Sequence, residues 1–438
     1  MPAALAASAG VVSSAPETAL WVRDVSVIDP RRGPLTPRTV VVEDGRITRI
    51  EESSSDASPK TARVIEGAGQ FLIPGLWDMH VHLSNTKESA LPILLAHGVT
   101  SVRDTGGRLS EIDLWRGEIR SGKIDGPRVF RSGPMLNGRF SDYQFLVADA
   151  AEARGAVRAL HRAGVDLIKM HRMTPRAAYF GAAAEATKLG LPFCGHIPRT
   201  VTPEEASDAG QWTIEHVETL FEGTFSNARD DVPLAGPIER FKTDRAEALF
   251  DRFAQNGNWW TPTLSAFEAA NETFWDEAPR PTDAYISRTS WKMVEAIRKE
   301  PPPATWLADR REQFPHHQDL VLMAQRAGVG LLAGSDMAAR IAPGAGLHRE
   351  LELLVESGLP PLEALRAATA NPARAFERPD LGAIEAGCVA DLVLLRANPL
   401  EDVSNVRKIE AVIARGIAYD RPALDALLAE ATETAKTT

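Results

Sequence analysis

The chain has almost no cysteine. Cys194 and Cys388 are the only two in 438 residues, too few to staple a chain of this size, and they form no CxxC pair. It has no run of about 18 apolar residues, so no membrane-spanning helix is expected. A basic block is also missing. The 49 Lys and Arg fall short of the 59 Asp and Glu, and the net charge of −10 argues against nucleic acid as a partner. What remains is ordinary globular composition: 44% hydrophobic and 25% charged residues exclude a disordered or fibrous chain. The length suits one large domain, or a large one with a small one beside it.

Residues 1–18 are rich in Ala and Ser and carry no positive charge before Arg23. A secretory signal needs a basic start and a longer apolar stretch. A disordered tail over 1–18 and a cytoplasmic location are therefore expected; a trimmed leader would instead imply a periplasmic or secreted protein.

The first structured stretch is β-rich. Residues 20–28 alternate, and 39–42 and 46–50 flank Asp44-Gly45, a strong hairpin signal. A polar loop over 53–60 precedes further strands at 62–65 and 70–73. From Pro74 the pattern changes. Eight short apolar runs, at 76–79, 99–103, 128–130, 165–168, 191–194, 212–214, 259–263 and 329–332, alternate with helical stretches. The helices carry their own punctuation. One at 90–96 stops before Gly98, and one at 153–162 before Gly164. Thr174-Pro175 starts another, and Thr202-Pro203-Glu204-Glu205 reads as a capping box. Helices are also expected at 245–254 and 319–327.

Eight alternating repeats predict an α/β chain with a (β/α)8 TIM barrel. Residues 266–318 form an insertion between the seventh and eighth runs, at the face where such folds place their pockets. Helices at 346–357 and 361–376 should follow, and then strands at 390–395, 411–414 and 417–419. The expected organisation is a barrel over 74–380 beside a small composite β-sandwich built from 19–73 and 381–422.

Polar groups at the C-terminal ends of barrel strands line the active site. Here the first run ends in His80-Val81-His82, whose two imidazoles, two residues apart, point the same way and can reach one ion. The fourth run ends in Lys169, the fifth in His196, the sixth in His216, and the eighth in Gly334-Ser335-Asp336. One HxH could be a pair of polar loop residues. Joined by His196, His216 and Asp336 at separate strand ends, it points to metal. Four His and one Asp exceed what one tetrahedral ion needs, so two divalent ions are expected, most simply Zn²⁺.

The other histidines read as structural. His97 and His161 sit near helix C-termini, where an imidazolium favours the dipole. His316 and His317 are expected at the surface of the insertion. His171 and His348 are weaker candidates to support the ligands from behind. Arg103-Asp104 either faces the site or forms a structural ion pair. For substrate contacts the candidates are Asn137, Arg139, Arg199 and the insertion.

Taken together, these residues resemble the metal-dependent amidohydrolase superfamily. Phe71-Leu72-Ile73-Pro74-Gly75-Leu76-Trp77-Asp78-Met79-His80-Val81-His82 looks like its first-strand signature. His97-Gly98-Val99-Thr100-Ser101-Val102-Arg103-Asp104, Ile214-Glu215-His216, Gly334-Ser335-Asp336, the ALRAATANP segment at 364–372, and residues 381–395 match further family segments. The resemblance extends over nearly the whole chain and is closest to the imidazolonepropionase-like and prolidase-like branch. It implies that His80 and His82 hold one metal with Asp336, and that His196 and His216 hold the other. It also implies that Lys169, carboxylated by CO₂ to a carbamate, bridges both. The implied chemistry is attack of a metal-bridging hydroxide on an amide or ester carbonyl, with Asp336 relaying the proton.

Two departures concern the pocket. Dipeptidases of the branch carry Tyr two residues after the fifth-strand His, where this chain has Pro198. The segment between Lys169 and His196 is also shorter than theirs. The implied function is hydrolysis of an amide in a small-molecule substrate: an N-acyl amino acid, a dipeptide, or an ochratoxin-like mycotoxin amide. Assembly into a homo-oligomer is left open, and no membrane partner is expected. Two alternatives remain: a mononuclear cyclic-imide hydrolase or deaminase, which Lys169 argues against, and an inactive scaffold, which the complete ligand set argues against.

Overall fold

The computed structural model describes residues 19–53, 62–139, 143–222 and 235–438. The expected tail over 1–18 and most of the expected loop 53–60 lie outside the described residues. Among the described residues no helix is long and apolar enough to cross a membrane. Both cysteines are free and buried.

Each of the eight apolar runs yields a parallel strand: β1 (Leu76–Val81), β2 (Val99–Asp104), β3 (Arg128–Arg131), β4 (Ile168–Met170), β5 (Phe193–Gly195), β6 (Thr213–Glu215), β7 (Trp259–Thr261) and β8 (Gly330–Leu331). The strands are buried at nearly every position, as befits parallel strands covered on both faces. β1, β2 and β3 form one sheet, and β4 through β8 run in order through a second. Backbone hydrogen bonds join the two sheets on both sides. Asp166 N–H donates to Arg131 O beside β3 at 2.9 Å, and Met79 N–H in β1 donates to Ala333 O beyond β8 at 2.9 Å. Val81 also bridges Met337 in parallel. Two unanticipated strands, Met135–Asn137 and Gln144–Leu146, extend the second sheet past β4. Three residues are too few to display a period.

A further sheet draws strands from both ends of the chain. Leu20–Asp29 pairs antiparallel with Gly33–Glu43 and parallel with Phe71–Pro74. Phe71–Pro74 pairs antiparallel with Leu392–Leu395, which continues to Ile409–Ala414 and Ile417–Asp420. The period-2 alternation divides the side chains. Val27, Leu72, Leu392, Leu394 and Ile413 pack in this sheet's own core, while Ile73, Val393, Leu395 and Val412 face the larger one. Between Gly33–Glu43 and Arg46–Glu52, Asp44 and Gly45 both have positive φ, 49° and 74°, the mirror-image turn that suits a two-residue hairpin.

Several helices differ from the sequence expectation, Leu109–Arg120 and Arg288–Lys299 among the unanticipated ones. The helix expected at 361–376 is two, Pro361–Ala367 and Ala370–Ala375. The carbonyls of Ala367 and Ala368 accept from Ala333 and Trp77 N–H at 2.8 and 2.7 Å, so the helix end is tied to the β8 and β1 segments and cannot continue. The helix expected at 319–327 is the last part of Ala304–Arg326, which runs through Pro315. Gln313, His317, Leu320, Val321 and Ala324 bury one face of it, which offsets an interior proline costing about 3 kcal/mol. An unanticipated helix, Arg421–Ala435, is capped by the Asp420 carboxylate and packs against Ala90–Ala96.

Candidate metal centre

The C-terminal ends of β1, β4, β5, β6 and the segment after β8 meet at one point. Asp336 Oδ1 lies 3.2 Å from His82 Nε2 and 3.5 Å from His80 Nε2. Asp336 Oδ2 lies 3.9 Å from His216 Nδ1. Lys169 Nζ is 3.4 Å from His80 Nε2. The His216 ring stands 4.7 Å from that of His80 and 4.5 Å from that of His196. All six candidate ligands therefore share one cluster, and His80, His82 and Asp336 offer donor atoms within 4.8 Å of one another.

Local backbone geometry explains the convergence. Gly195 precedes His196 with φ +126°, and a Cβ there would collide with Met170 O, so only glycine lets β5 approach β4 this closely. Asp336 and His216 both adopt left-handed backbone, with φ 53° and 70°. Such conformations cost non-glycine residues about 1–3 kcal/mol and cluster at functional sites. Asp78 ties the first and last contributors together. Its carboxylate accepts from Ser335 N–H at 2.9 Å and from His80 N–H at 3.2 Å. Burial pushes the Asp78 carboxyl up to about 6.

The hydrogen bonds behind the cluster fix its tautomers. His80 Nδ1–H donates to Glu215 Oε2 at 2.8 Å, and His82 Nδ1–H donates to Gly106 O at 3.2 Å. Neither acceptor can donate, so Nδ1 carries a proton in both rings and each Nε2 is turned toward Asp336. Burial, together with Lys169, holds His80 far below the usual imidazole range, so it is neutral. Burial likewise lowers His196, with help from His216 and Lys169, and holds His216 down at about 4. His82 is the exception: its burial is outweighed by Asp336, and its pKa is raised. Burial lowers Lys169 also, which favours its neutral amine.

This chemistry fits metal ions. Three imidazoles held neutral, a carboxylate and an amine that avoids charge are the forms that ligate divalent cations, and His82 joins them by giving up its proton to the ion. His196 Nδ1 is buried with no hydrogen-bond partner, a state costing about 1–3 kcal/mol. A cation would satisfy it.

Sequence reasoning did not assign Glu215 its role. Arg103, wholly buried, donates to both Glu215 oxygens at 2.7 and 2.8 Å, and to Met79 O and Thr213 Oγ1. Arg103 is thus part of an internal ion pair that holds His80 through Glu215. The signal was the Ile214-Glu215-His216 triplet, in which Glu215 points to the interior opposite His216. Glu215→Gln should cost about 3–5 kcal/mol, because it strands a buried guanidinium. The urea midpoint should fall at unchanged m-value.

Asp104 does not reach the cluster; it accepts from Leu83 N–H at 2.8 Å and Gly106 N–H at 3.2 Å. The His171 ring lies 4.8 Å from that of His196, tilted by 49°. His348 donates to His97 O at 2.9 Å, away from the cluster. Two expectations are corrected. His97 is no imidazolium: burial holds it near 4, and its Nδ1–H donates to Ile93 O at 2.8 Å. His317 is not at the surface but packs among Phe221, Phe267 and Phe314. The long helix Ala304–Arg326 turns it inward.

Glu350 supports the site from helix Ala345–Glu356. Its carboxylate accepts from Leu264 and Ser265 N–H at 3.1 and 2.7 Å, next to Thr263, whose hydroxyl lies 2.8 Å from His216 Nδ1. Burial pushes Glu350 up to about 7 from an ordinary 4.5. Its contribution to stability is therefore full below about pH 4.5 and is lost as pH rises through about 7. Glu350→Gln should flatten this decline, on the order of 3 kcal/mol, when denaturation is compared at pH 5 and pH 8.

A cavity of about 290 Å³ opens beside the cluster. His196, His216 and Asp336 line it together with Glu218, Arg310 and apolar side chains of the insertion. Asn137, Arg139 and Arg199 are not among its lining residues. Asn137 is engaged by Gln144, and Arg139 and Arg199 are exposed. A larger cavity, about 780 Å³, lies at the start of β8 by Gly330 and Leu331 and holds none of the candidate ligands.

Comparison with known proteins agrees with this picture. The amidohydrolase family model matches residues 286–418. Ochratoxinase of Aspergillus niger is 26% identical, covering 92% of this chain and 86% of its own length. Imidazolonepropionase of Streptomyces griseus subsp. griseus is 26% identical, covering 84% of this chain and 90% of its own. The crystal structure of a Xaa-Pro dipeptidase with bound methionine in the active site shares the fold, with a TM-score of 0.70 at 22% identity, over 92% of this chain and all of that one.

Proposed function

We propose that this chain, a hydrolase of carbon–nitrogen bonds with an amidohydrolase-family domain, is a binuclear zinc amidohydrolase acting on a small amide. The candidate substrates are an N-acyl amino acid, a dipeptide and an ochratoxin-like compound. In this reading β1 to β8 close as a (β/α)8 barrel over 74–380, and the two-ended sheet is a composite β-sandwich domain of 19–73 and 381–422. The hydrogen bonds across both seams support closure.

The observation that carries the proposal is the meeting of His80, His82, Lys169 and His216 around Asp336, with His196 against His216. His80, His82 and Asp336 would hold one ion, and His196 and His216 the other. Lys169, as its carbamate, would bridge them. Bound there, the metals would lower the pKa of water and polarise the scissile carbonyl.

The chain's own groups do the rest. Glu215 and Gly106 O keep His80 and His82 in the tautomer that presents Nε2. Burial keeps Lys169 as the amine that CO₂ can carboxylate. Asp336 is held ionised against its burial by the hydrogen bond with His82. It takes the proton from the attacking water and returns it to the leaving nitrogen as the C–N bond breaks.

A single-metal reading has one observation in its favour: only His80, His82 and Asp336 draw within 4.8 Å of one another among the described residues. A screen of N-acyl amino acids, dipeptides and ochratoxin with the zinc-loaded enzyme tests the proposal. Release of the free amine or amino acid from at least one of them is expected. Turnover confined to cyclic imides or aminopurines would favour the single-metal alternative.

A further inference from the structure

The roof of the cavity beside the metal centre is fastened by one side chain. Arg340 follows Asp336 by four residues and is 2% exposed. Its Nε and Nη2 make a two-pronged pair with Asp283 at 2.9 and 2.6 Å. Its other donors reach Thr273 O at 3.1 Å, Ala278 O at 2.7 Å and Asp276 O. The guanidinium lies 5.5 Å from the centroid of the Trp291 ring. Arg340 thus grips three backbone carbonyls and one carboxylate of the insertion. Arg298 grips the same turn from the other side, through Phe274 O at 2.7 Å and Asp276 O at 2.6 Å.

This clamp sits where it can set the pocket. The neighbours of Arg340, Ala339 and Ile341, line the cavity, and so do Phe274, Met293 and Ile297 of the gripped insertion. Ala339, like Asp336, is left-handed, with φ 48°, so the 336–341 loop stores strain that the clamp offsets. Two charged residues, Glu218 and Arg310, also line the cavity, and Arg310 is turned aside by donating from Nε to Asn271 Oδ1 at 2.9 Å and lying 5.2 Å from the centroid of the Phe267 ring. The wall of Phe274, Met293, Ile297 and Ile341 offers a substrate dispersion and desolvation. At about 290 Å³ the cavity admits one compact group.

We infer that Arg340 is a positioning residue that docks the insertion against the Asp336 loop, and that the pocket so formed selects amides bearing a bulky apolar side chain beside the scissile bond. This rests on the amide-hydrolase reading of the same site. Arg340 touches no substrate; it acts through Phe274 and Ile341.

The test compares N-acetyl-phenylalanine and N-acetyl-leucine with N-acetyl-glycine and N-acetyl-aspartate, using the zinc-loaded enzyme, Arg340→Met and Phe274→Ala. Wild type should favour the apolar pair by about 10–200-fold in kcat/KM. Both variants should lose at least tenfold of that preference, chiefly as raised KM for the phenylalanine and leucine substrates, at unchanged metal content. If Arg340→Met does not fold, Phe274→Ala decides alone. No preference in wild type, an unchanged preference in the folded variants, or an equal loss on all four substrates would overturn the inference. Failure of every amide, these and the wider screen alike, would instead sink the functional reading.

Discussion

Asp336→Asn should leave the fold and metal content intact and lower kcat by about 10³-fold, within the range that general acid–base groups supply. The substitution keeps the side chain's shape and an oxygen that can face His80 and His82, the two imidazoles 3.5 and 3.2 Å from Oδ1. It removes the one capacity the mechanism needs there, which is to take up a proton and release it. Asp336 is suited to that task because His82 holds it ionised while its side chain stays 26% exposed toward the cavity. The measurement is kcat of the variant, with zinc quantified in the same preparation. Residual turnover within tenfold of wild type, with metal bound, would remove Asp336 from the proton path.

Lys169→Ala should have an effect as large, by a different route. Lys169 is fully buried at the end of β4, 3.4 Å from His80 Nε2, with burial driving it away from the ammonium form. An ammonium there would repel two divalent cations, whereas a carbamate supplies two anionic oxygens that can bridge them. The alanine variant is therefore expected to bind less than half the wild-type metal and to lose activity in proportion. Short carboxylic acids should restore part of both, and bicarbonate should speed zinc reconstitution of the wild-type apoenzyme. A Lys169→Ala variant that keeps full metal and full turnover would contradict the bridging role.

Much of this site is legible in the amino-acid sequence because its residues stand at strand ends. The period-2 rule aligns His80 with His82, and the run-and-helix rhythm places Lys169, His196 and His216 at corresponding positions along successive strands. The partners behind them are not legible. That His80 rests on Glu215, and Glu215 on Arg103, depends on contacts between strands distant in sequence (135 residues separate His80 from Glu215). No local pattern encodes such a contact.

The two-ended sheet shows the same division. Alternation marks strands near 20–28 and 390–395, but their meeting through Phe71–Pro74 is tertiary. Elsewhere local rules mislead. An interior proline disfavours a helix, yet the apolar face of Ala304–Arg326 carries the helix through Pro315 and buries His317. The regular pattern at 361–376 reads as one helix, yet β1 and β8 take the carbonyls at 367 and 368 and break it. The roof of the pocket follows neither rule, because Arg340 makes it by gripping three carbonyls, which carry no sequence identity, and the carboxylate of Asp283, 57 residues away.

The central claim is a two-metal site bridged through Lys169, and the most direct measurement is metal stoichiometry. Elemental analysis of the purified chain, expressed with zinc and bicarbonate and freed of loosely held ions, should give two zinc equivalents per chain. The mass of the intact protein under native conditions should include one added CO₂. One equivalent, with an unmodified lysine at 169 in the active enzyme, would contradict the account and assign the chemistry to His80, His82 and Asp336 around a single ion.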